Sequence, residues 1–291
     1  FVKKIIPNGI EGDYNYNDIM NGKVNFSELD NPNNKIRMRL RATVVKVEHD
    51  DENVENSKGV YVTYSKGNKT YRLKANKLVM ATGGWVNKYV VRDLPEDIYE
   101  AYSNFNHVPF LIANVAVNNW RFMEKLGNNS SVWRDGIFGN SCNVRLPMTV
   151  GDYQPVIDPD KPALVTFYVP FYYPGLDLVE QGMRGRAELF STSYAEYEEK
   201  ICSQMTELFG ESGFDPDKDI EGIVLNRWGH AYVTPQPGFF FGVDGDPAPS
   251  DVIRKGFGRV AFAHSELQGM QHWGPAADEG QRAVRQLGKH S

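Results

Sequence analysis

Three histidines stand where they could do chemistry. His230 lies in the run Asn226-Arg227-Trp228-Gly229-His230-Ala231-Tyr232, and His264 and His272 lie near a loop close to the C-terminus. An imidazole titrates near neutrality and can shuttle protons, although a single histidine is more often a structural hydrogen bonder. The surroundings of the last two are richer. The sequence predicts a buried strand from Arg259 to His264, a loop of polar and small residues from Ser265 to Gly274, and a helix opened by Pro275-Ala276-Ala277. The start of such a helix offers unpaired N–H groups and the positive end of its dipole, which suit an anionic oxygen or an electron-rich carbonyl. Small side chains at Ala276, Ala277 and Gly280 would let a flat ring or a neighbouring strand come close. A plain strand–loop–helix unit with no ligand is the alternative.

Other chemistries are excluded by spacing. Gly256-Phe257-Gly258-Arg259-Val260-Ala261 has the letters of a dinucleotide fingerprint, but it precedes a strand, whereas the fingerprint must follow a strand and open a helix. There is no other phosphate-binding glycine loop, no zinc pair and no Gly-x-Ser-x-Gly elbow, so no metal site is expected. The two cysteines, Cys142 and Cys202, lack metal-ligand spacing and are too few for a disulfide framework. Asn68-Lys69-Thr70 and Asn128-Asn129-Ser130 fit the glycosylation pattern, which at three residues arises readily by chance.

The elements that must position these groups form an α/β pattern. Residues 1–34, rich in Asn, Asp, Gly and Tyr, read as loop and short helical turns. From Lys35 to Val47, apolar Ile36, Met38, Leu40, Ala42 and Val44 alternate with Arg37, Arg39, Arg41 and Thr43, the pattern of a half-exposed strand with its arginines in solvent. Val60 to Tyr64 and Tyr71 to Leu73 complete an antiparallel meander around the turn Lys66-Gly67-Asn68-Lys69. Lys77 to Gly84 is a short apolar run ending in two glycines, as in a strand buried on both faces. Strands are predicted at 111–117, 163–169 and 223–226, with an aromatic, proline-rich loop from there to Gly245. The clearest helix is Ser193 to Phe209, whose Tyr194, Tyr197, Ile201, Met205 and Leu208 recur at helical spacing.

The whole is 291 residues, 41% hydrophobic and 24% charged, which excludes disordered and fibrous classes and allows one large domain or two small ones. A net charge of −5, spread along the chain, gives no reason to expect nucleic acid or an anionic membrane as partner. No apolar run approaches the roughly 18 to 20 residues of a membrane span.

The order of these elements resembles the flavin amine oxidase superfamily. The resemblance rests on the meander from Arg39 to Leu73, the strand Leu78-Val79-Met80-Ala81-Thr82-Gly83-Gly84, and the closing Val260-Ala261-Phe262-Ala263-His264-Ser265-Glu266 with Ala276-Ala277-Asp278-Glu279-Gly280. Asn114-Val115-Ala116-Val117-Asn118-Asn119-Trp120-Arg121, Arg186-Ala187-Glu188-Leu189, Phe214-Asp215-Pro216-Asp217 and Asn226 to Tyr232 look like the bacterial spermidine dehydrogenase branch. The resemblance covers most of residues 1–290. It implies an FAD/NAD(P)-binding, amine oxidase-like fold without its N-terminal Gly-x-Gly-x-x-Gly unit, divided into a meander and flavin-domain strand over 1–90, a mixed-sheet substrate domain over 91–245, and a return to the flavin domain over 246–291.

It also implies roles. Val44 and Val45 would lie by the adenine of FAD, Ala81, Gly83 and Gly84 beside the dinucleotide, His264, Ser265 and Glu266 by the ribityl–phosphate stretch, and Pro275, Ala276 and Ala277 against the pyrimidine edge of the flavin. Trp273 would take the place of a cage tyrosine, with Trp228 or Tyr232 as the facing wall for a small amine. Lys88 falls near the place of a flavin-facing lysine, and His230 is a candidate proton carrier. Gly83-Gly84-Trp85, His264 and Trp273 depart from the usual pattern and bear on substrate identity. On this resemblance the chain is the C-terminal portion of an FAD-dependent oxidoreductase acting on a C–N bond. Its partner would be the N-terminal half of the same flavoprotein or a separate subunit carrying the dinucleotide-binding loop. A non-catalytic binding subunit and a flavoenzyme with a non-amine donor stay open. Relatives of that branch are often exported, so the resemblance alone points to the periplasm, with any signal upstream of Phe1.

Overall fold

A computed structural model describes residues 1–288. The N-terminal stretch makes only short helices, α1 (Val2–Ile5), α2 (Tyr16–Asn21) and α3 (Phe26–Leu29). The meander follows as β1 (Thr43–His49), β2 (Val60–Lys66) and β3 (Lys69–Ala75), antiparallel in that order. Its hairpin closes with Lys66 opposite Lys69, and Gly67, at φ 59°, supplies the left-handed residue that this tight turn needs. Alternate residues of β2, Val60, Val62 and Tyr64, are buried.

Next come β4 (Leu78–Met80), α4 (Gly84–Val90) and α5 (Glu96–Ser103). A five-stranded antiparallel sheet is built from β5 (His107–Val117), β6 (Ser130–Val132), β7 (Ser141–Val144), β8 (Ala163–Pro170) and β9 (Ile220–Val233), in the order β6-β7-β8-β5-β9. Helices α6 (Arg121–Lys125), α7 (Leu178–Ser191), α8 (Tyr194–Phe209) and α9 (Pro216–Asp219) lie between its strands. After α10 (Pro249–Arg254), β10 (Val260–Phe262) pairs in parallel with β4, and α11 (Trp273–Gly288) closes the described chain.

Two main cores result. The first joins β1, β2, β4 and β10 to α5, α10, Val233 and Phe239. Residues 91–105 therefore share this core with the meander. The second fills one face of the larger sheet: Leu111, Ala113 and Val115 of β5 and Val165 and Phe167 of β8 pack with Tyr197, Ile201 and Met205 of α8. Those three helix residues are four apart and essentially buried, so each contributes about 1.5–3 kcal/mol by the transfer of its side chain from water. Ser193 starts α8 with a reciprocal capping box to Glu196, as the sequence expectation of a helix over Ser193 to Phe209 requires. A small third cluster, Ala261, Ala263, Ala283 and Leu287, seats α11 against β10.

The structure departs from the sequence expectations in three places. The strand expected from Lys35 begins only at Thr43. Arg37 and Arg39 stay at the surface and both donate to Asp30 at 2.9 Å, and Arg41, at φ 54°, breaks the extended run. The loop expected after Asn226 is strand, since β9 runs on to Val233 along β5. Helix α7 escapes sequence reading because Gly182 and Gly185 lower its propensity. Both glycines are there for close approach: a Cβ on Gly185 would meet Pro109 at 2.6 Å, and one on Gly182 the His107 carbonyl oxygen at 2.8 Å.

Candidate active site

The parallel pair β4–β10 points its carboxyl ends at the edge of the larger sheet, and the groups with chemistry gather there. Ala263 N–H donates to Met80 O at 2.8 Å, which carries the pairing to the strand ends. Beyond β4 the chain turns through Gly83 into α4. A side chain at Gly84 would meet the Tyr102 ring at 2.5 Å and Glu266 at 2.9 Å, so only glycine fits. Beyond β10, Ser265 and Glu266 are buried, with Glu266 1% exposed. Its Oε1 accepts the Gly84 N–H, and its Oε2 lies 2.6 Å from Nε2 of His107 at the start of β5. One carboxylate thus ties both strand ends to β5 of the larger sheet. His264 Nδ1 accepts the Glu266 N–H at 3.2 Å, which fixes the ring beside it and leaves the proton of a neutral His264 on Nε2.

A cavity of about 330 Å³ opens at this junction, lined by Gly83, Trp85, Phe110, Ile112, Trp228, His230, Ala231, Tyr232, His264, Glu266 and Gln271. Its walls are aromatic. Trp85, in the first turn of α4, stacks on His230 at 4.2 Å and 12°, and Tyr232 meets Phe110 edge-on at 5.8 Å. Trp228, His230 and Tyr232 reach it as alternate residues of β9, one face of a strand. Gln271 is held by accepting the Val233 N–H at 3.0 Å. Burial, then the Arg186 guanidinium and His107, push the His230 imidazole down to about 4, with Glu266 opposing. His230 is therefore an uncharged acceptor and donor at neutral pH. Burial raises the Tyr102 phenol, which accepts from Asn87 Nδ2 at 3.0 Å and stays protonated.

Helix α11 is aimed by a second buried acid. Glu279 accepts from Arg254 at 2.8 Å and from Arg282 at 2.8 Å, and these bonds outweigh the burial that would raise its carboxyl.

Of the residues singled out from sequence, the structure brings together Gly83, Trp228, His230, Tyr232, His264 and Glu266 as lining of one cavity. Ala81, Gly84 and Ser265 sit at the adjoining strand ends; α11 starts at Trp273, two residues before the expected Pro275, so Pro275, Ala276 and Ala277 lie inside it and the Ala276 N–H is already taken by His272 O at 3.1 Å. Val44 and Val45 lie apart on β1, where both are exposed and the pairing with β2 skips Val45 as a bulge. Trp273 is 79% exposed at the start of α11 and does not line the cavity. Lys88 sits in the last turn of α4 with its Nζ 5.6 Å from the rings of Tyr89 and Tyr99, also outside the lining. Sequence reasoning missed Trp85, His107, Phe110, Ile112 and Gln271. Only Trp85 carried a local signal, as the residue just inside a helix that starts from a glycine pair.

FAD fits this surface on the structure's own terms. The carboxyl ends of parallel strands are where α/β sheets place ligands, and Ala81, Thr82 and Gly83 leave that end of β4 open to solvent. Ala81, Ala276 and Ala277 are small and exposed. Ala81, Gly83 and the start of α11 would hold the group, whereas Gly84 and Ser265 are buried and the Gly84 N–H is taken by Glu266.

No family model matches the sequence, and no curated protein does. Solved structures do match. The chain has the amine oxidase-like fold, and it spans about half the length of the solved structures it matches. Cyclohexylamine oxidase from Brevibacterium oxydans superposes with a TM-score of 0.56 at 15% identity, over 85% of this chain and 48% of that one. A putrescine oxidase redesigned in its cofactor binding gives 0.56 at 14%, over 86% and 49%. A fatty acid isomerase from P. acnes that produces CLA gives 0.54 at 11%, over 87% and 49%.

Proposed function

We propose that this chain is the flavin-facing and substrate-binding half of an FAD-dependent oxidoreductase that oxidises an amine C–N bond to an imine, nearest in kind to the spermidine dehydrogenase-like enzymes. The observation that carries the proposal is the aromatic cavity at the carboxyl ends of β4 and β10, with the buried carboxylate of Glu266 in its lining. Aromatic faces attract a cation, and Trp is the strongest of them. Trp85, Trp228 and Tyr232 would receive an ammonium, and Phe110 and Ile112 its carbon chain. Because His230 is uncharged, it would not repel that cation and would accept a hydrogen bond from the amine nitrogen. FAD, when bound, supplies the hydride acceptor; the protein holds the α-carbon and excludes other geometries. Two of the neighbours are named for amine substrates, which supports the class.

The flavin site would be completed by a unit carrying a Gly-x-Gly-x-x-Gly loop, either in the same protein or in a separate subunit. The edge of β4 supports this. Leu78 N–H bonds to Arg259 O and Met80 O accepts from Ala263, so the Val79 N–H and C=O face away from β10, and among the described residues no strand pairs there. A two-strand sheet with an open edge is marginal alone and receives a third strand readily. The test is amine-dependent reduction of flavin in the isolated complex, assayed with mono-, di- and polyamines. Reduction by at least one class is expected; a flavin-loaded complex that none of them reduces overturns the proposal.

A further inference from the structure

We infer that Arg145 forms a second recognition point for an anionic group on the substrate, so that the amine reading above narrows to amines carrying a carboxylate at the far end of a short chain. The larger sheet has an open face opposite its core. Phe110, Ile112, Asn114 and Ala116 of β5 point to that face, with Tyr168, Thr166 and Leu164 of β8 opposite Ile112, Asn114 and Ala116. Phe110 and Ile112 line the aromatic cavity, while Ala116, Leu164 and Arg145 line a second cavity of about 550 Å³ further along the same face. Phe110 to Ala116 is about 20 Å of strand at roughly 3.4 Å per residue, so both cavities lie on one track.

Arg145 lines the second cavity and reaches towards the first through Tyr168. It follows β7 directly, and its backbone N–H bonds to Leu164 O at 2.7 Å. Nε donates to Thr166 Oγ1 at 3.1 Å, Nη2 donates to the Tyr168 hydroxyl, and the guanidinium lies 5.7 Å from the Tyr168 ring centre. Tyr168 in turn meets Phe110 edge-on at 6.3 Å. The guanidinium is thus held in place by neutral hydroxyls, is exposed to the track, and is paired with no acidic side chain among the described residues. The acids of the second cavity do not take it: Asp158 accepts the Asp160 N–H at 2.9 Å, and Glu221 is exposed at the start of β9. A surface arginine needs no such support. A planar fork with free N–H groups, pinned by two hydroxyls in the second cavity, matches a carboxylate.

This inference rests on the amine reading, and the test separates the two. Binding of 4-aminobutanoate, 6-aminohexanoate and 8-aminooctanoate is measured by calorimetry on the natively isolated protein, each beside the n-alkylamine and the n-alkanoate of the same length. One of the aminocarboxylates is expected to bind about ten- to a hundredfold more tightly than its alkylamine, the range of a charged hydrogen-bonded contact. Arg145→Gln is expected to collapse that ratio towards one, and Arg145→Lys to restore part of it, which a general loss of folding would not do. Alkylamine binding with no gain from any carboxylate overturns the Arg145 inference and leaves the amine reading standing. Alkanoate binding that depends on Arg145, without any alkylamine binding, upholds the anion site and overturns the amine reading.

Discussion

Replacing Glu266 by alanine tests the junction that the whole site depends on. The side chain is 1% exposed and has two partners that solvent cannot replace: the Gly84 N–H at Oε1 and the His107 ring at Oε2, 2.6 Å away. His107 is itself buried, its side chain 3% exposed. Truncation leaves a buried N–H and a buried imidazole unpaired, each costing about 1–3 kcal/mol. Breaking a buried pair by removing one member costs about 3–5 kcal/mol, which falls inside the sum. At about 2–4 °C per kcal/mol for a chain of this size, the midpoint should fall by about 6–20 °C. Glu266→Gln keeps the shape and an acceptor for Gly84, so it should lose less than half as much. Thermal unfolding followed by circular dichroism, with the His107→Ala and double variants completing a cycle, reads the coupling directly. A Glu266→Ala protein within about 1 kcal/mol of the parent, or a cycle with no coupling between Glu266 and His107, would refute the reasoning.

Other outcomes follow from the same geometry. Folding holds the His230 pKa at about 4 against an ordinary 6.5, so the unfolded chain takes up the proton first. Stability should be flat above 6.5, fall as the pH drops from 6.5 towards 4, and lose part of that slope in His230→Gln; an unchanged slope in urea titrations would contradict the assignment. Cys142 is fully buried and its thiol is pushed up to about 12 by burial, so a thiol reagent should leave it unmodified in the native protein and label it after denaturation. Ser193→Ala removes the capping box of α8 and should cost about 1 kcal/mol, measured by urea unfolding. Gly84→Ala forces a contact with Tyr102 at 2.5 Å and should lower stability by more than the helix-propensity gain of alanine could return.

Much of the fold was legible because its signals were local. The meander announced itself by alternation and by Gly67-Asn68, and α8 by its apolar stripe, serine cap and terminal glycine. The site was legible in part, through the strand ends, the lone His230 and the resemblance that singles out Trp228 and Tyr232, although the strand that carries these three reads as loop in the sequence. What stayed hidden depends on distance along the chain. His107 meets Glu266 across 159 residues, and Trp85 meets His230 across the two cores, so neither has a periodicity or cap to betray it. The partner of Arg37 and Arg39 was hidden for a different reason: Asp30 is only seven and nine residues away, but it lies outside the alternating run that suggested a strand.

The measurement that tests the central claim most directly is the flavin spectrum and intact mass of the natively purified material, compared with the chain produced by itself. The account predicts stoichiometric FAD when a Gly-x-Gly-x-x-Gly unit accompanies the chain, and weak or no flavin binding by the chain alone. Stoichiometric FAD on the isolated chain would contradict it, as would a natively purified complex that includes such a unit and still holds no flavin.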